Sequence, residues 1–321
     1  MRNALAVLFI VTCALTIWPH VYASTLAQRE VALWIGEGYF NDPIISSNIH
    51  QLENDIVNHH VSYLFTFFAS IREDGTIGTD VEQSQASPVI SALHAYNVKI
   101  IAVMDGWGPN FPGIVPAGYV LHLSNPAVRS AIAASAASLI TFGFDGVQLD
   151  IEGVACGVVQ CQGADYVELV SEVRQRINGA VGGFVPYFSV DLPPRTGSVC
   201  DDVNPWIRWA DYAGIAQYVD AIIPMAYDSN FVYWLCASST SYGEWVRAVA
   251  NYALDSVRGT GASVLIGVPT GRMLEPLNAA LNQLSTISAQ AFLGVTVFMY
   301  QYGSGQLGMS DWKSIDKFLL A

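Results

Sequence analysis

Positive charge is scarce in this chain. Fourteen lysines and arginines stand against 27 aspartates and glutamates, a formal net charge of −13. Binding to nucleic acid needs clustered cations that displace counterions. That partner class is excluded, and a neutral one is the natural alternative. Long apolar runs are also missing, apart from one at the N-terminus. Ala4 to Trp18 is apolar, follows Arg2 and is broken by Pro19. At about 15 residues it falls short of the ~20 that a membrane-spanning helix needs. Val21-Tyr22-Ala23 then resembles a small-residue cleavage site. Residues 1–23 therefore read as a secretory signal peptide, and 24–321 as a secreted, extracellular chain with no membrane partner after cleavage.

Other absences narrow the reading further. No Asn-X-Ser/Thr sequon occurs, no linker or composition shift divides the chain, and no G-x-G-x-x-G fingerprint opens its first unit. Five cysteines are present, and Cys13 leaves with the signal peptide. Cys156, Cys161, Cys200 and Cys236 remain, and four cysteines in an exported chain point to two disulfides with three connectivities open. A zinc site is the weaker alternative, because the spacings are wrong and no histidine lies close to these cysteines. Neither metal nor cofactor is expected.

What is present is apolar and periodic. The chain is 52% hydrophobic and 13% charged, which supports a large core and excludes disorder. Short β-branched or aromatic runs alternate with longer amphipathic stretches throughout. The strand-like runs are Val31–Ile35, Val61–Phe68, Val98–Met104, Gly146–Ile151, Val185–Val190, Ala221–Ala226, Ser263–Val268 and Gly294–Met299. Helix-like stretches fall at Ile49–His59, Pro88–Tyr96, Pro126–Thr141, Asp165–Ile177, Pro205–Ala216, Glu244–Val257, Leu274–Leu284 and Trp312–Leu320. Asn125-Pro126 and Asn204-Pro205 each place a capping side chain before an N1 proline. Eight alternating units with nearly continuously apolar strands predict an α/β fold, a (β/α)8 TIM barrel in one domain, 24–321, without a large inserted domain. The expected state is a monomer. The four cysteines then fall in loops after the fourth, fifth and sixth strands. The connectivity that joins near neighbours pairs Cys156 with Cys161 and Cys200 with Cys236.

Function in such barrels sits at the C-terminal ends of the strands. The run "GFDGVQLDIEGV", Gly143 to Val154, brings Gln148, Asp150 and Glu152 to alternating positions, which share one face of a strand. Inward is the direction that fits, with Glu152 nearest the mouth. Two carboxyls about 6–7 Å apart along a strand raise one another's pKa in a partly desolvated mouth, which suits one of them to general-acid work. Asp145 points the other way and has a structural role at the strand start. Gln148 is neutral, and its NH₂ is expected to donate a hydrogen bond to Asp150, favouring an activity optimum on the acidic side of neutral. Asp191, just past the fifth run, either reaches the mouth or caps a loop. The histidines fall on helix-like or loop positions and receive no catalytic role.

"DGVQLDIE", Asp145 to Glu152, resembles the Asp-x-x-Asp-x-Asp-x-Glu signature of glycoside hydrolase family 18, with Gln148 in place of the middle aspartate. "VSYLFTFF" from Val61 and "KIIAVMDGW" from Lys99 are similar to the family's second and third strands, with Val103 and Asp105 replacing a serine and a glycine. "PMAYD", Pro224 to Asp228, resembles the sixth-strand Met-x-Tyr-Asp motif. "GVPTGR", Gly267 to Arg272, looks like the seventh-strand motif without its tyrosine. The resemblance implies a chitinase-type hydrolase, in which the sugar's own N-acetyl oxygen attacks the anomeric carbon. Glu152 would protonate the leaving oxygen, Asp150 would hold the acetamide N–H, and Tyr227 would donate to the acetamide carbonyl. Met225, Asp228 and Gln148 would line the pocket. The family's eighth-strand tryptophan is missing, and Phe298 or Tyr300 stands near its place, the register leaving both open. Trp107 and Trp234 are the aromatic residues best placed to meet sugar faces. The implied partner is a polysaccharide or oligosaccharide containing N-acetylglucosamine, either chitin or the chitobiose core of N-glycans, and an open groove implies endo cleavage. A binding protein of the same fold without turnover is the alternative class.

Overall fold

A computed structural model describes residues 29–41, 49–79, 81–106, 121–152, 163–180, 182–203, 207–227, 241–270, 276–300 and 307–321. The signal segment, Cys156, Cys161, Cys236, Trp107, Asp228 and Trp234 lie outside the described residues. So does the proposed disulfide pairing.

The strands are β1 (Glu30–Ile35), β2 (Val61–Ile71), β3 (Ile77–Gly78), β4 (Lys99–Gly106), β5 (Gly146–Ile151), β6 (Tyr187–Leu192), β7 (Ala221–Pro224), β8 (Ser263–Pro269) and β9 (Phe292–Tyr300). They hydrogen-bond in the order β1-β9-β8-β7-β6-β5-β4-β2-β3, and β1 also pairs with β2. Eight parallel strands therefore close into a barrel, as the alternating pattern predicts. The two-residue β3 is an addition, antiparallel to the end of β2. The fourth run of the sequence is β5.

Helices cover the barrel's outer face: α1 (Gly38–Asn41), α2 (Ile49–Asn58), α3 (Gln83–His94), α4 (Pro126–Thr141), α5 (Gly163–Asn178), α6 (Val199–Val203), α7 (Tyr212–Ile215), α8 (Tyr242–Ser256), α9 (Leu277–Leu284) and α10 (Met309–Leu319). None among the described residues is long and apolar enough to cross a membrane. Asn125 caps α4 as its position before Pro126 predicts, accepting from the Ala127 amide at 3.0 Å. Pro88 does not start α3. That helix begins at Gln83, where the Gln85 side chain accepts from the Glu82 amide at 3.1 Å, and it carries Pro88 inside it. The stretch expected as one helix over 205–216 shortens to α7, with turns at 207–209 before it.

Alternation along each strand divides the apolar residues into two cores. Outward residues such as Leu33, Leu64, Val147, Val190 and Val297 join the helices in the larger cluster. Ala32, Trp34, Tyr63, Phe65, Ile101, Val103, Ile223, Met225, Tyr227 and Leu265 fill the barrel itself. The interior is a packed core, and a cavity opens at its C-terminal mouth.

Candidate active site

The end of β5 carries the acids. All six β5 residues are buried, and Glu152, one step past the strand, is half-buried at the mouth. Its backbone amide donates to the Gly106 carbonyl at 3.0 Å, which fixes the strand's exit against β4. Asp150 lies deeper, at 4% exposure. A cavity of about 550 Å³ opens above them, lined by Glu37, Phe67, Ser70, Arg72, Asp105, Asp150, Glu152 and Phe298, among others. Asp150 and Glu152 thus share one cavity, on the face that the alternation predicts. Burial holds the Asp150 carboxyl well above the usual carboxylate range, and the negative charges of Glu152 and Asp105 push it the same way.

Gln148 does not do what its position in the sequence predicts. Its side chain is completely buried. Its Oε1 accepts from the Trp34 indole N–H at 2.7 Å, and its Nε2 donates to Ser189 Oγ at 3.2 Å. The amide is committed sideways, to β1 and β6, and Asp150 Oδ1 is left without a hydrogen-bond partner. Gln148 therefore ties the barrel floor together beneath the cavity, instead of lining it and supporting Asp150. Periodicity sets a residue's face, but its depth and partners come from strands far away in sequence.

The aromatic floor comes from β1, β9 and the turn after β7. Trp34 on β1 meets Tyr227 edge-on at 5.6 Å and Phe298 edge-on at 5.9 Å. Tyr227 and Phe298 stack face to face, 4.1 Å apart and 6° from parallel. Gly267 on β8 makes room for this group, since a Cβ there would stand 3.1 Å from the Tyr227 ring and 3.2 Å from the Trp34 ring. Met225 lies in the same interior cluster, bridged to Gly267. Of the two eighth-strand aromatics, Phe298 reaches the interior and Tyr300 does not. Leu33 pairs with Val297 but Ile35 with Tyr300, so β9 carries an extra residue there. The bulge turns Tyr300 outward, where its hydroxyl donates to Asp55 Oδ2 on α2 at 2.7 Å. Tyr300 is withdrawn as a ligand contact. Trp209 is also core, packed edge-on against Tyr166 at 5.0 Å.

Asp145 has the structural role expected of it, accepting from the Ile100 amide and paired with His94, both at 2.8 Å. Asp191 reaches the barrel interior at the end of β6 and is 2% exposed. Burial, Asp150 and Glu152 all raise its carboxyl well above the usual range. The sequence placed the fifth strand two residues early, ending at Val190. Extending the alternation Tyr187, Ser189, Asp191 is the signal that finds it. Asp105, noted as a departure at the third-strand turn, also faces the cavity and accepts from the Ser70 hydroxyl at 3.0 and 3.2 Å.

Comparison with known proteins bears on the family and the fold. The chain is 31% identical over 107 residues to YdhD of Bacillus subtilis (strain 168), a protein described as a sporulation-specific glycosylase. That match covers 33% of this chain and 23% of YdhD, so the chain spans under a quarter of the curated relative it matches. Its fold resembles a chitinase from Chromobacterium violaceum, with TM-score 0.66, 13% identity and coverage of 91% and 99% of the two chains. It also resembles the spore cortex-lytic enzyme SleL of Bacillus megaterium QM B1551, with TM-score 0.63, 12% identity and coverage of 90% and 74%. Both structural likenesses concern the fold. The profile of glycosyl hydrolases family 18 matches residues 38–314, nearly the whole described barrel with β5 and its acids inside it, and the chain belongs to that family.

Proposed function

We propose that the protein hydrolyses β-1,4 bonds in polymers of N-acetylglucosamine, as an endo-acting, chitinase-type enzyme with retention of configuration. The observation that carries this reading is the pairing of a half-buried Glu152 with a buried Asp150 at the floor of one cavity. Glu152 protonates the leaving glycosidic oxygen. The substrate's acetamide oxygen attacks the anomeric carbon, so no enzyme nucleophile is required, unlike the usual two-carboxylate scheme. Asp150 accepts the acetamide N–H and balances the positive charge that develops on the ring. Tyr227, packed on Phe298 beside the cavity, supplies a hydroxyl to the acetamide carbonyl. Among the described residues, the cavity lining holds the acids Glu37, Asp105, Asp150 and Glu152 against one cation, Arg72. That balance supports a neutral chain over an anionic one. Endo action is supported by the connection from β8 to β9, which spans residues 270–291 and contains α9.

The likeness to YdhD, described as a sporulation-specific glycosylase, favours a glycan met in sporulation as a second substrate, cleaved by the same residues. Product analysis of chitin hexamer against isolated spore cortex separates the two. Glu152→Gln is expected to lower turnover of the preferred polymer about 10²- to 10⁴-fold, the usual range for a positioned general acid, with sugar binding retained. If the native protein binds chitin oligosaccharides and turns over neither them nor spore cortex, the hydrolase reading fails and a sugar-binding protein remains.

A further inference from the structure

Asp150 and Asp191 occupy neighbouring inward positions on paired strands. Gln148 lies opposite Ser189 and Leu149 opposite Val190. The next step of that register sets Asp150 opposite Asp191, on strands about 4.8 Å apart. Both carboxyls are nearly inaccessible, at 4% and 2% exposure, and each has a buried Oδ1 with no hydrogen-bond partner. Two ionised carboxylates so placed repel one another and leave acceptors unsatisfied, at a cost that native interiors avoid. One proton between the two orphaned oxygens removes both faults.

We propose that Asp150 and Asp191 share a single proton, and that Asp191 is thereby the positioning residue that holds Asp150 ready for the substrate. In the free protein the pair carries one negative charge. When an acetamide N–H reaches Asp150, the shared proton rests on Asp191 and Asp150 takes the charge. Nothing is gained or lost from solvent in that step. Gln148 does not fill this role, because its amide is spent on Trp34 and Ser189.

The surroundings fit. Asp105 on β4 and Glu152 past β5 act on Asp150, and Glu152 acts on Asp191, so among the described residues the charged groups acting on the pair are acids. On α5, the buried Tyr166 phenol feels both carboxylates and is kept protonated by burial and their charge. On α7, the Tyr212 hydroxyl is turned away to the Pro193 carbonyl at 2.7 Å. β7 presents no titratable side chain. Burial raises both carboxyls, and the Asp150 charge raises Asp191 further, in the direction that a pair limited to one ionisation requires.

The role assigned to Asp150 rests on the hydrolase reading, whereas the proton can be observed without turnover. Infrared difference spectra of the full chain at pH 7, in a Glu152→Gln background, test the proton directly. Asp191→Asn and Asp150→Asn should each abolish one protonated-carboxyl band that shifts in deuterium oxide. If the band persists in both variants, burial alone protonates each carboxyl and the shared proton is overturned. In the active protein, Asp191→Asn should lower kcat by about 10²-fold, the loss expected for a misplaced reacting group, with a smaller change in KM. The basic limb of the pH–rate profile should stay in place, because the site keeps one negative charge with or without Asp191. A limb that moves to lower pH would mean that Asp191 had been a second full charge, and would overturn the pair.

Discussion

Gln148 alters how the fourth-strand motif is understood. The motif resemblance makes it the departed member of an acid series. In the folded protein it is a strut, accepting from Trp34 across 114 residues of sequence and donating to Ser189. Removing such a strut leaves two buried polar groups unpaired, each costing about 1–3 kcal/mol. Gln148→Leu is therefore expected to lower unfolding free energy by roughly 2–4 kcal/mol in urea titrations. Gln148→Glu keeps an acceptor for the indole but adds an ionisable group below Asp150 and beside Asp191. Its penalty should grow between pH 5 and pH 8, as that group is forced to ionise. A pH-independent penalty would mean that the polar bridge matters and the charge does not. The sequence made the acids legible because period-two alternation is local. It did not make Gln148's partners legible, because they are brought in only by barrel closure.

At the scale of a single element, β9 is where the sequence left two aromatics open and the structure separates them. One extra residue between Val297 and Tyr300 reverses the side on which the strand's last aromatic lies. Phe298 stacks on Tyr227 and lines the cavity, while Tyr300 is tied to Asp55, which also accepts from Gln51 at 2.9 Å. The two positions should behave as opposites. Phe298→Ala frees the Tyr227 ring and is expected to reduce kcat/KM on chitin oligosaccharides by ~10-fold or more, since about 1.4 kcal/mol of lost positioning is a factor of ten. Tyr300→Phe leaves one Asp55 oxygen without its donor and should cost about 1–3 kcal/mol of stability, with kcat/KM unchanged. Equal activity losses at both positions would place Tyr300 in the site after all. Bulges of this kind are invisible to hydrophobic patterning, because "GVTVFMY" is apolar enough to serve in either register. Elements that pattern does fix, such as α4 with its Asn125 cap, appear where they were expected.

For the molecule as a whole, the acid excess and the buried carboxyls act together on stability against pH. Asp150, Asp191 and, by burial at the barrel floor, Glu30 all have carboxyls raised in the folded state. A raised carboxyl binds its proton more tightly in the native chain. Its contribution is full at low pH and is lost as pH rises from the ordinary carboxylate range through the raised value. Asp74 and Glu244, held low by hydrogen bonds from Thr76 and Ser241, act in the opposite sense and lose their contribution as pH falls. The net charge of −13 adds surface repulsion at neutral pH. Thermal stability should therefore peak on the acidic side, near about pH 5, and decline toward pH 8. Salt divides the two causes of that decline. At 1 M the Debye length is about 3 Å, which screens surface charges but not a pair walled inside the barrel. Raising salt at pH 8 should recover only part of the lost Tm. Asp191→Asn should recover a further part at either salt concentration and less at pH 4, toward the pH at which the raised carboxyls keep their protons. If salt alone flattens the profile, the surface charge accounts for all of it. If the Asn variant instead lowers Tm at pH 8, the buried acids stabilise the fold, and the repulsive account of the site is wrong.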